Sequence, residues 1–154
     1  IEPPAFWVLR DRGPLPESAR RLQAHLQPLA SADVTEDQLI EFARLVSLLP
    51  EGVDPRTLSQ WPLWLQHRYS LRSQGSVFTH VDSLQLLRAF DRPVLLVRGE
   101  GTSEFLDAVT DTLIEELRDV RVLTFPGGHA PHLVSMQPFL ESFRRFLADP
   151  HQPL

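Results

Sequence analysis

Pro93-Val94-Leu95-Leu96-Val97-Arg98-Gly99, and beyond it Phe125-Pro126-Gly127-Gly128-His129-Ala130-Pro131-His132, decide how the rest of the chain is read. The first run is short, apolar and closed by glycine, the pattern of a strand buried on both faces. Between the two, residues 103–118 place Phe105, Leu106, Val109, Leu113, Ile114 and Leu117 at helical spacing. Residues 120–125 return to β-branched and aromatic side chains and stop at Pro126-Gly127-Gly128. Strand, helix, strand over this length predicts a βαβ unit with a right-handed crossover. In open parallel sheets the chemistry gathers in the loops beyond the carboxyl ends of the strands. His129 stands directly behind two glycines in the second such loop, the place for a catalytic imidazole.

Composition narrows the function classes. The 154 residues suffice for one ordinary domain with its own core. A net charge of −5 argues against a general nucleic-acid binder, because neutralising phosphates needs a basic face. There is no cysteine, which excludes a disulfide framework and a thiolate zinc site. No run of 18 apolar residues occurs, so no membrane span is expected, and no secretory signal opens the chain. A cytoplasmic location without cofactor follows as the expectation. The chain starts at Ile1 rather than methionine, which reads as processing or as a piece of something larger.

Upstream of residue 93 the pattern is helical and broken by prolines. Residues 17–29 place Ala19, Leu22, Leu26 and Leu29 on one face. Thr35 followed by Gln38 predicts a capping box, and Glu36 and Asp37 suit the positive end of the helix dipole. That helix is expected to run through Leu39, Phe42, Leu45, Val46 and Leu49 to Pro50. Glu51-Gly52-Val53-Asp54-Pro55 reads as a turn, with Asp54 capping a short helix that has Pro55 at its first position. Residues 61–74 predict a further helix rich in Trp61, Leu63, Trp64, Leu65, Tyr69 and Leu71, broken at Gly75, and residues 82–90 a last one. At the start, Ile1-Glu2-Pro3-Pro4 reads as the end of a strand.

The ordered set of strand 93–99, amphipathic helix and Phe125–His132 loop resembles the last two strands and histidine loop of an α/β-hydrolase of the serine-hydrolase type. The stripe of Phe139, Leu140, Phe143, Phe146 and Leu147 fits the helix that closes such a sheet. Ile1-Glu2-Pro3-Pro4 is similar to the end of a sixth core strand, where the chain departs into a helical cap. The resemblance implies an α/β fold in two parts. Residues 1–92 are the end of a core strand plus the helical cap, and residues 93–154 the C-terminal βαβα part of a mostly parallel core. It also implies a hydrolase of an ester or related acyl substrate that uses a nucleophile–His–acid triad. No Gly-x-Ser-x-Gly elbow occurs in the sequence. The N-terminal half of the core, with the nucleophile, is therefore expected as a partner outside these residues, and the chain alone is expected to be inactive.

On that resemblance His129 is the catalytic base. The family commonly places an aspartate three residues past the glycine that closes the first strand, where this chain has Thr102. Some members, haloalkane dehalogenase-like ones included, carry the acid after the sixth strand, where Glu2 stands. Glu2 is the first candidate and Glu100 the second, and an acid lost altogether is the third case. Asp107 and Asp111 fall on the polar side of the amphipathic helix and read as solvated charges. Trp7, Trp61, Trp64 and Phe78, with His132 at the rim, are the candidate substrate-binding residues for a small hydrophobic acyl group. The competing reading of the aromatics is plain core. His129-x-x-His132 lacks a third ligand, so no metal is expected. Two other functions stay open: a non-catalytic α/β-hydrolase-like binding protein or standalone helical interaction module, and dehalogenation by an aspartate nucleophile.

Overall fold

Val94–Gly99 (β1) and Val120–Phe125 (β2) pair in parallel, from Val94 opposite Val120 to Gly99 opposite Phe125. The computed structural model describes residues 1–31, 33–49 and 52–153, and among them this is the whole sheet. Before it come α1 (Glu17–Leu26), α2 (Glu36–Leu45), α3 (Trp61–Gln66), α4 (Leu71–Gln74) and α5 (Leu84–Ala89). Then α6 (Glu104–Glu116) joins the strands, and α7 (Pro131–Val134) and α8 (Met136–Ala148) follow them. The result is a helix-rich α/β arrangement with a two-stranded parallel sheet among the described residues. No helix among the described residues is long and apolar enough to cross a membrane.

The helix boundaries follow local chemistry. Thr35 and Gln38 form the reciprocal capping box: the Gln38 amide donates to Thr35 Oγ1 at 3.3 Å and the Thr35 amide to Gln38 Oε1 at 2.8 Å. The helix stops at Leu45, short of the extent expected from the sequence, and Ser47 just beyond it takes a left-handed φ of 56°. Pro50 and Glu51, the expected helix end and turn start, lie outside the described residues. Asp54 does cap, accepting from the Arg56 amide at 3.0 Å, and the turn it starts is the 3-10 segment Pro55–Thr57.

The helix expected over residues 61–74 is instead two short α-helices separated by a 3-10 turn. Arg68 closes the first, its guanidinium donating to the carbonyls of Leu65 at 2.9 Å and Val34 at 2.8 Å. Beyond it, the hydroxyls of Ser73, Ser76 and Thr79 each donate to the carbonyl three residues back. Such back-bonding competes with the regular ladder and favours tighter turns, and a 3-10 segment spans Gly75–Phe78 where a break was expected.

Two apolar clusters meet on α6. Phe105 and Leu106 join Phe6, Leu26, Ile40 and Trp61 in the helical half, with the Phe6 ring 5.1 Å from Phe105. Val109 and Leu113 pack with Val8, Leu9 and Leu96 against the sheet. The α8 stripe covers the other side only loosely. Phe139 meets Phe125 edge-on at 6.4 Å, while Phe143 and Leu147 stay exposed.

The free edge of β1 sets the position of Glu2. The amides of Val94 and Glu100 donate to Asp119 and Phe125 on the β2 side. Alternate residues, Val97 and Gly99, therefore present their peptide groups at the opposite edge. The Glu2 amide donates to Val97 O there at 3.1 Å.

Candidate active site

Gly99 closes β1, and its amide donates to Glu2 Oε1 at 2.7 Å. Just past it, Thr102 Oγ1 donates to Glu2 Oε2 at 2.7 Å. From the loop after β2, His129 Nδ1 lies 3.0 Å from the same Oε2. Burying a carboxylate is costly unless hydrogen bonds replace its water. The Glu2 side chain has no solvent exposure, and these three donors, all from the carboxyl ends of the two strands, supply the replacement. An ionised carboxylate only accepts, so Nδ1 carries the proton of its contact, and in the neutral ring Nε2 then holds the lone pair. Among the described residues Nε2 has no hydrogen-bond partner, and the ring is 28% exposed, which leaves it accessible. Glu2 holds this place with a φ of 26°, a backbone state that non-glycine residues seldom adopt and that tends to mark functional sites.

The glycines behind His129 do separate jobs. Gly127 takes a φ of 109°, open to glycine only. A Cβ on Gly128 would lie 1.8 Å from the carbonyl oxygen of Ser47, and one on Gly99 would lie 2.2 Å from the carbonyl oxygen of Gly128. The three backbones pack on one another with no room for side chains. Ser47 O also accepts from the His129 amide at 3.0 Å. The segment after α2 is thereby joined to the histidine loop.

Beside this junction lies an open cleft of about 1080 Å³. Its walls include Leu48, Leu58 and Trp64 on one side and Leu133 and Val134 of α7 on the other, with the backbone of Gly127 and Gly128 between. Of the candidate substrate-binding residues, Trp64 lines the cleft. Trp61 is buried in the helical core, where its indole N–H donates to Glu36 Oε1 at 3.3 Å. Phe78 packs on Phe6 at 4.3 Å, and Trp7 borders a separate pocket with Pro3, Pro4 and His80. For Trp61 and Phe78, packing is the role the structure shows. His132 is half-buried beside Phe139, with its Nδ1 unpartnered among the described residues, and burial pushes its imidazole below the usual histidine value.

Glu100 is exposed on the cleft and makes no hydrogen bond to His129 among the described residues. Asp107 and Asp111 pair with Arg98, at 3.8 and 2.9 Å, and neither makes a hydrogen bond to His129 among the described residues. Sequence reasoning missed Ser47 and the donor role of Thr102. Thr102 was visible as a departure from a pattern, whereas no local signal marks Ser47. Among the described residues no group of three or more His, Asp or Glu is placed to hold a metal ion. Comparison with protein-family models, with curated proteins and with solved structures finds no significant match to this chain.

Proposed function

We propose that this chain supplies the base and the acid of an acyl-transfer site of the α/β-hydrolase type, acting on an ester or related acyl substrate. The observation that carries the reading is the fully buried Glu2 carboxylate 3.0 Å from His129 Nδ1. In that arrangement Nε2 takes the proton of an attacking hydroxyl, Glu2 steadies the imidazolium that forms, and the proton then passes to the leaving group. The nucleophile, on this reading, comes from an N-terminal half of the core outside these residues. On this reading the acyl group lies in the cleft beside the histidine loop, where Leu48, Leu58, Trp64, Leu133 and Val134 offer apolar walls to it while Arg44, Gln60 and Glu100 supply the polar part of the lining. The alternative of a non-catalytic binding protein takes Thr102 as a lost acid; a carboxylate already in contact with His129 weakens that ground.

The test expresses the complete reading frame containing these residues and offers it p-nitrophenyl esters of graded acyl length and a fluorophosphonate probe. The expected result is turnover and covalent labelling, with both lost in His129→Ala. Absence of turnover on every ester together with no labelling would contradict the proposal.

A further inference from the structure

We infer that Thr102 is a positioning residue for the Glu2–His129 pair, fixing the plane of the carboxylate through its hydroxyl; the inference rests on the acyl-transfer role proposed for that pair. The carboxylate can only accept, so the 2.7 Å contact makes Thr102 Oγ1 the donor. Glu2 Oε2 is shared between Thr102 and His129 Nδ1, while Oε1 is taken by the Gly99 amide at 2.7 Å. Two donors on one oxygen and a third on the other leave the carboxylate no rotation that keeps all three.

Gly99 and Thr102 are themselves tied together. The Thr102 amide donates to Gly99 O at 3.3 Å, so both donors ride on one turn at the end of β1. Remove the hydroxyl, and Oε2 keeps only the imidazole, on a side chain that hangs from a strained backbone at φ 26°. The carboxylate then has a softer torsion about its last bond. The Nδ1–H bond lengthens or tilts, and the imidazole loses the orientation that aims Nε2. Thr102 touches neither the reacting atoms nor the cleft, so its effect is on rate and not on substrate binding. Hydrogen bonds to a charged group are the strong ones, and a hydroxyl–carboxylate contact this short is of that kind.

The experiment compares Thr102→Val, Thr102→Ser and Glu2→Gln in the complete reading frame, reading kcat and KM on a medium-chain ester and the downfield proton resonance of His129 Nδ1–H. Thr102→Val should lower kcat roughly ten- to a hundredfold with KM little changed, and shift or broaden the resonance. Thr102→Ser, which keeps the hydroxyl, should restore both. Should the valine variant not fold, Thr102→Ala is read in the same way. Wild-type kcat and resonance in the valine or alanine variant, with turnover lost in Glu2→Gln, overturns the role of Thr102 and leaves the hydrolase reading standing. Wild-type kcat in Glu2→Gln as well brings down that reading itself.

Discussion

At Gly128 a methyl group would meet the Ser47 carbonyl oxygen at 1.8 Å, the same oxygen that accepts from the His129 amide. Gly128→Ala must therefore push the loop and the segment after α2 apart. Overpacking of this kind typically costs about 1–3 kcal/mol, and here it also moves the imidazole. We expect a lower urea midpoint and a loss of turnover in that variant; stability within about 0.5 kcal/mol of wild type would show that the contact yields easily. From the sequence, two glycines before a histidine read as freedom to turn. That holds for Gly127, with its φ of 109°. Gly128 is needed for what it lacks, and the partner that makes this so is distant in the chain, where no local pattern reveals it. Glu2 was reached through a resemblance and not through spacing; the physical reason for its place is the pair of peptide groups at the free edge of β1.

At the scale of elements, Glu116 decides how α5, α6 and the segment before α1 hold together. It is the last residue of α6, where the helix dipole disfavours a negative charge, and its side chain is only 6% exposed. Arg88 on α5 meets it at 2.5 Å and Arg12 at 2.6 Å. The hydrogen bond from Arg88, then that from Arg12, holds the Glu116 carboxyl below the usual glutamate value. A carboxyl lowered by folding adds stability above its unfolded value, and this is lost as pH falls through the folded one. Glu116→Gln should therefore lower the urea midpoint near neutrality, and the gap to wild type should close as pH falls below about 4. A gap independent of pH would contradict the pairing. The sequence told these elements apart unevenly. The start of α2 was legible because Thr35 and Gln38 are three residues apart. The break after α3 was not, because Arg68 ends it by reaching the carbonyl of Val34, a contact made only in the folded chain.

For the whole molecule, the helical half and the sheet share α6 and are joined a second time where Ser47 meets the histidine loop. Strand–helix–strand was legible from periodicity alone, since six apolar positions at helical spacing between two short apolar runs leave few other solutions. The cover that α8 provides is partial. Its stripe is strongly amphipathic, yet Phe143 and Leu147 remain exposed, because periodicity names an apolar face without naming what lies opposite it. The two halves of the molecule converge on Glu2 and His129, and the proposed chemistry rests on that pair. The most direct test is kcat on an acyl ester for Glu2→Gln set against Glu100→Gln in the complete reading frame. Glu2→Gln should lower kcat by roughly three to four orders of magnitude with KM little changed, and Glu100→Gln should have a mild effect. Near-normal turnover in Glu2→Gln, or a deeper loss in Glu100→Gln, would contradict the assignment of Glu2.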